Sequence, residues 1–384
     1  MIRLLALLAV PPLMAAGYLL LLTLASRRVP LRRGALARTR FDIIVPAHDE
    51  ERGIARTVQS LLATGYAPEL RRVIVVAHNC TDSTAERAAA AGAKVLVRDD
   101  PTRRGKGHAL AFAFERSLAD GFADAVVVVD ADSIVSPNLL TAFSARLERG
   151  ALAAQAAAAV LNRDESCRTR LMALALASFN GVRSMGRDNL GLSCGLRGNG
   201  MCISTAALRA HPHRAVSLVE DLEYGIALAR GGVRVVYTAD AVVASEIVSS
   251  SDAAASQRGR WERGRAHLRR QLTAALLREA LAQRSLLLFD MGADLLVPPL
   301  SSLALALCAG MAAALLAHAS LWPWAAGIAC VAVYVTRGWT LSGLGIAGLR
   351  AIAWAPFYVV WKLCTASRPA PPEWIRTARE ASGT

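Results

Sequence analysis

The chain has 384 residues, 54% of them apolar and only 19% charged, with a mean hydropathy of +0.35. Those values exclude a disordered tail, a collagen-like fibre and a small disulfide scaffold, and hydropathy this high points to membrane segments. The formal charge of +14 suggests an anionic partner; with lysine only at Lys94, Lys106 and Lys362, part of the arginine excess reads as a bias of the whole composition.

Residues 4–25 are almost wholly apolar, long enough for a bilayer core of roughly 30 Å despite Pro11-Pro12. A basic flank follows with Arg27, Arg28, Arg32, Arg33, Arg38 and Arg40. The length of the run and the position of the charge favour a transmembrane anchor over 1–26 rather than a cleaved signal peptide, with the flank on the cytoplasmic side.

From about residue 41 to 263 the texture is that of an α/β domain. Short β-branched runs recur at 43–45, 73–76, 95–97, 126–129 and 233–236, with helical stretches at 54–64 and 83–91 between the first of them. Strands alternating with helices predict βαβ units and a buried parallel sheet. From 264 to 294 the pattern becomes basic and amphipathic. Leu268, Leu272, Leu276 and Leu281 fall broadly on one face and arginines on the other, as in helices that lie at a headgroup surface. Apolar stretches at 295–317, 322–335 and 345–364 predict membrane helices over 295–366, with Asp290 and Asp294 just before them interfacial, and a polar tail at 367–384 closes the chain. The seven cysteines form no CxxC pair, which argues against a disulfide framework or zinc site and for thiols in a reducing compartment.

The strongest chemical signal is Val126-Val127-Val128-Val129-Asp130-Ala131-Asp132, a buried strand running into two carboxylates on one face. Ligands collect at the carboxyl ends of strands in open parallel sheets, and paired carboxylates there can hold Mg2+ or Mn2+ against a diphosphate. Three more polar loops precede it: Pro46-Ala47-His48-Asp49-Glu50, the turn holding Asp82, and Gly105-Lys106-Gly107. Each has a local alternative, a helix cap or a solvated loop, but together they point to a nucleotide crevice. Downstream stand Glu220-Asp221 at a helix start and Gln257-Arg258-Gly259-Arg260-Trp261, which gathers amide, guanidinium and indole groups.

In this order the motifs resemble those of the family 2 glycosyltransferases, in particular the membrane-embedded branch of cellulose, chitin and hyaluronan synthases. The resemblance covers roughly 41–261 and the membrane layout. It implies a GT-A (Rossmann-like) α/β domain and inverting hexosyl transfer from a nucleotide-diphosphate sugar, usually UDP-linked. Asp221 would be the general base, and Pro46, Ala47, Glu50, Asp82, Lys106, Asp130, Ala131 and Asp132 the donor site, with Asp82 near the nucleobase and the metal on Asp130 and Asp132. Glu220, Gln257, Arg258, Arg260 and Trp261 would lie across pyrophosphate and acceptor. Val219 replaces the threonine that often precedes Glu-Asp in the family.

The expected protein is thus a multi-pass enzyme of the inner (plasma) membrane with a cytoplasmic catalytic domain, extending a polysaccharide or oligosaccharide. Its expected partners are a sugar donor, a glycan or lipid-linked acceptor, membrane lipids and export or assembly subunits, with no nucleic acid. Two alternatives stay open: transfer of one sugar to a lipid or polyprenyl-phosphate acceptor, and a catalytically silent binding protein.

Overall fold

The structure is a computed structural model that describes the backbone of residues 2–29, 38–217, 219–247 and 251–366, and their side chains outside 2, 251–258, 260–262 and 360–366. The tail 367–384 therefore lies outside the described residues. Eight strands form one sheet: β1 Phe41–Ala47, β2 Arg71–His78, β3 Lys94–Arg98, β4 Ala125–Val128, β5 Ser133–Val135, β6 Ala153–Val160, β7 Met201–Ser204 and β8 Val235–Ser245. Their spatial order is β3-β2-β1-β4-β7-β6-β8-β5.

Four of the five strands expected from β-branched runs build the parallel half, where β2 and β4 flank β1 with Ile43 opposite both Val73 and Val127. The run at 233–236 instead leads into β8, between β6 and β5. The whole sheet is mixed rather than parallel, because β7 runs antiparallel to β4 and to β6. Alternation places Ile43, Val45, Val75 and Val127 on one face, under Ile54, Leu61, Leu139 and Phe143 of two covering helices. The intervening Ile44, Val76, Val126 and Val128 meet Leu110, Phe114, Tyr224 and Leu228 on the other. Burial on both faces is why these strands read as unbroken apolar runs. It also fixes the register, since a one-residue slip would exchange the two faces.

Beside this domain lies a second layer of helices. The first, Ile2–Ala25, packs against Arg183–Asn189, Leu300–Leu316 and Trp322–Ser342. Contact is close because Gly186 presents no side chain to the Leu22 carbonyl. The last turn of the first helix is fastened by Asn189 Nδ2, which donates to Ala25 O at 2.7 Å, and by Arg337, which donates to Ser26 O at 2.5 Å.

Among the described residues, Arg3–Ala25 is the one helix long and apolar enough to cross a membrane alone. The three spans expected further on form helices Leu300–Leu316, Trp322–Ser342 and Gly345–Ala366, but multiple C-terminal spans are not shown. Leu300–Leu316 has 17 residues, about 25 Å of helix against a core of roughly 30 Å, and reaches spanning length only with Leu286–Leu296, from which it is bent by 66°.

The basic stretch from 264 belongs to a single helix, Ser251–Gln283, so the expected segment boundary at 263/264 falls inside it. Leu268 and Leu276 are buried as expected, but Leu281 is 76% exposed and Ala280 takes the inward place. At 100° per residue, position 280 lies about 40° from 276 and position 281 about 140° away. Asp290 and Asp294, expected to be interfacial, are buried in the protein among arginines.

Candidate active site

The site is assembled where β1, β2 and β4 end. Beyond β1 the chain turns at Asp49, which takes a left-handed conformation (φ 54°) and accepts from Thr81 N at 2.7 Å. Asp82 accepts from Glu51 N at 3.1 Å, from Thr84 N at 3.0 Å and from the Thr84 hydroxyl, while Glu50 N donates to Thr84 Oγ1 at 2.8 Å. Asp82 therefore ties the loop after β1 to the loop after β2. Ligand atoms of Asp49, Cys80 and Asp82 lie within 4.8 Å of one another. Pro46 and Ala47 are in β1 itself.

Lys106 opens helix Lys106–Asp120 after Gly105, whose φ of 106° favours glycine. Its Nζ donates to Asp130 Oδ1 at 2.5 Å and to Gly198 O at 2.6 Å, and lies 4.0 Å from Glu220 Oε1. Gly198 has φ 79°, and a Cβ there would stand 3.4 Å from Asp221 Oδ2. One amine thus joins the expected donor carboxylate Asp130 to the expected acceptor pair Glu220-Asp221.

Burial on its own would lower the Lys106 pKa, but the carboxylates of Asp130 and Glu220 outweigh it and hold the group well above its ordinary value. Burial pushes Glu220 up to about 7, with Asp221 adding and Lys106 opposing. It raises Asp221 as well, against its helix N–H groups, Lys106 and Arg197. Raised carboxyl pKa values in a polar crevice are what a proton-accepting group near neutral pH requires.

The turn after β4 is fixed by residues that the sequence reading did not select. Asn199 Oδ1 accepts from Asp130 N at 3.1 Å, and its Nδ2 donates to Ser133 Oγ (2.8 Å) and Ser245 Oγ (2.9 Å). Buried Gln155 in turn donates to Asn199 O at 2.7 Å and accepts from Arg197 N at 2.9 Å. Ser133 Oγ donates to Asp132 Oδ1 at 3.1 Å, and Ala131 O accepts from Thr57 Oγ1 at 2.8 Å. The signal that could have found this loop is Gly195-Leu196-Arg197-Gly198-Asn199-Gly200, three glycines interleaved with polar groups directly before a strand. Lys106, Asp130, Glu220 and Asp221 are thus brought together, with Glu50 and Asp82 in the adjoining loops. The side chains of Gln257, Arg258, Arg260 and Trp261 lie outside the described residues.

An open α/β sheet with acidic and lysine side chains at its carboxyl ends belongs to the class of folds that bind ligands along that edge. The sequence model described as glycosyltransferase like family 2 matches residues 38–264, more than half of the chain, and the chain belongs to this family. Over 111 residues it is 41% identical to a glucosyl-3-phosphoglycerate synthase of Mycolicibacterium paratuberculosis, covering 27% of this chain and 31% of that one. The counterpart from Mycobacterium tuberculosis is 37% identical over 113 residues, covering 28% and 32%. These matches therefore span about a third of the relatives' length. Among solved structures, a mannosyltransferase from Pyrobaculum calidifontis in complex with GDP-Man and Mn2+ superposes with a TM-score of 0.55 at 19% identity, covering 91% of this chain and 99% of that one. That likeness concerns the fold.

Proposed function

We propose that the protein is an inverting glycosyltransferase that moves a hexose from a nucleotide-diphosphate sugar, with UDP the expected nucleotide, to a glycan or lipid-linked hydroxyl at the cytoplasmic face of a membrane. The observation that carries this reading is the contact of Lys106 with both Asp130 and Gly198, which sets a donor-side carboxylate against the Glu220-Asp221 pair. In the reaction the acceptor oxygen bonds to the anomeric carbon, the bond to the diphosphate oxygen breaks, and the acceptor proton passes to Asp221. Burial raises the proton affinity of Asp221, against the opposing charge of Lys106 and Arg197, and so prepares it for that proton. A single displacement needs no covalent intermediate on the protein.

Asp130 and Asp132 fit a divalent cation: both offer hard oxygens, and Asp130 already accepts a cationic partner in the ammonium of Lys106. Mg2+ or Mn2+ held there supplies charge neutralisation for the leaving diphosphate, in keeping with the Mn2+ named for the mannosyltransferase. Lys106 contributes positive charge from the protein itself. The membrane assignment rests on the first helix and on Leu7, Met14, Leu24, Trp322 and Phe357, large apolar side chains on outer helix surfaces.

A screen of radiolabelled nucleotide-sugars with membranes containing the protein tests the reading. Transfer of label from one donor, lost in Asp132→Ala, supports it. Donor binding without transfer from any nucleotide-sugar would favour a silent binding protein. Sizing the product separates chain extension from transfer of one sugar.

A further inference from the structure

Four guanidinium groups cluster around Phe179, Asp290 and Asp294, and one of them, Arg197, directly precedes the Gly198 that lies against Asp221. Arg183 and Arg187 come from helix Arg183–Asn189, Arg197 from the loop before β7, and Arg265 from helix Ser251–Gln283. The carboxylates among them are Asp290 and Asp294 of helix Leu286–Leu296. Arg187 Nε donates to Asp290 Oδ2 at 2.7 Å, Arg183 pairs with Asp294, and Arg265 Nη2 donates to Asp294 Oδ2 at 2.9 Å. Three of the four thus share two carboxylates.

Arg197 has no carboxylate in ion-pair reach among the described residues. Its Nη2 donates to Cys194 O at 3.0 Å, and its Nε is buried without a partner, as is that of Arg183, a residue only 4% exposed. Arg183, Arg197 and Arg265 stack around one ring, with Cζ atoms 4.6, 4.5 and 5.4 Å from the Phe179 centroid. The ring quadrupole compensates only part of such a concentration of like charge. Burial pulls Arg197 down to about 10, with Asp294 pulling the other way. The position is adjacent to the chemistry, because Gly198, the next residue, lies against Asp221 and Lys106.

We propose that Arg197, with Arg265, forms an anion subsite that holds a phosphate group of the acceptor next to Asp221. This rests on the glycosyltransferase reading and names the class of acceptor. An anionic acceptor approaching Asp130 and Asp221 would be repelled by them, and the uncompensated guanidiniums supply the opposing attraction, with a geometry suited to phosphate oxygens. The phosphate can belong to a lipid or to a soluble ester. On the side of the first helix the cluster includes Tyr18, whose hydroxyl donates to Asp290 Oδ1 at 2.8 Å.

The test is calorimetric titration of the full chain in neutral detergent with farnesyl phosphate, farnesol, glycerol 3-phosphate and glycerol, and separately with UDP and Mn2+. At least one phosphate should bind about tenfold or more tightly than its neutral counterpart, and Arg197→Gln should remove that difference while leaving UDP affinity within about twofold. Arg265→Gln provides a second variant and should weaken phosphate binding in the same sense. Preference for farnesyl phosphate places the bound phosphate on a lipid that carries the acceptor hydroxyl, and equal binding of glycerol 3-phosphate places it on a soluble ester. If neither phosphate binds better than its neutral counterpart, or if folded Arg197→Gln and Arg265→Gln bind as the parent does, the subsite is wrong. Phosphate binding without UDP binding in the parent would instead contradict the glycosyltransferase reading.

Discussion

Lys106 Nζ stands 2.5 Å from Asp130 Oδ1, so the first residue of one helix neutralises the carboxylate at the end of β4. The same amine lies 4.0 Å from Glu220 Oε1. Lys106→Met keeps the length of the side chain and removes the charge. Breaking a fully buried pair costs about 3–5 kcal/mol. Here the side chains are 23% and 37% exposed, so a loss of about 1–3 kcal/mol is expected, together with a donor affinity reduced by about tenfold or more. Thermal unfolding and donor titration at pH 7 measure both, and unchanged values would show the contact to be incidental.

The raised pKa of Glu220 makes a prediction with a sign. Folding favours its protonated form, so its contribution to stability is complete below the ordinary value of 4.5 and is lost as pH rises through about 7. Glu220→Gln is neutral throughout. It should therefore be more stable than the parent at pH 8, by on the order of 2 kcal/mol, and show little advantage at pH 4.5. Melting temperatures at the two pH values decide this. An advantage confined to the acidic side would reverse the assignment.

Asn199 acts on the site through the backbone of Asp130. Asn199→Ala removes that acceptor and the donor shared by Ser133 and Ser245, at a cost of about 1–3 kcal/mol. Because the turn after β4 then loses its brace, donor affinity should fall by more than the Tm shift alone explains. Gly198→Ala should also impair the loop, since alanine at φ 79° is strained and its methyl group would lie 3.4 Å from Asp221. A binding isotherm within about twofold of the parent in both variants would remove this loop from the site.

What the sequence made legible follows from the side chains that carry each signal. β1, β2 and β4 are β-branched and buried on both faces, and so appear as apolar runs ending in polar loops. β6 contains Ala153-Ala154-Gln155-Ala156-Ala157-Ala158-Ala159-Val160, and alanine has no strand preference to reveal it. Its place in the sheet comes from pairing with β8, whose register shifts between Ala156 and Ala157. The antiparallel direction of β7 depends equally on distant contacts. Lys106, Asp130, Glu220 and Asp221 could be picked out singly, but the meeting of Asp130 and Glu220 at Lys106, and of Lys106 and Asp221 at Gly198, could not. Asp290 and Asp294 read as breaks in an apolar segment, because Arg183 and Arg187 are about a hundred positions earlier in the chain.

The basic flank beginning at Arg27 and the use of a nucleotide-sugar donor put the catalytic domain on the cytoplasmic side in this account. A reporter active only outside the cytoplasm should stay silent when fused at Gly150, in the turn before β6. A signal from that fusion would invert the topology. Gly186→Leu should loosen the first helix, because the added side chain meets the Leu22 backbone. A destabilisation of about 2 kcal/mol or more is expected, within the usual range for overpacking.

The central claim is that Asp221 takes the acceptor proton, and Asp221→Asn tests it most directly. The amide keeps the size and removes the basicity, so single-turnover transfer, using the donor and acceptor membranes found by the screen, should fall by about 10²- to 10⁴-fold. Calorimetric affinity for the nucleotide-sugar should stay within a few-fold of the parent. Transfer at close to the parental rate in this variant would contradict the account and move the base to Glu220.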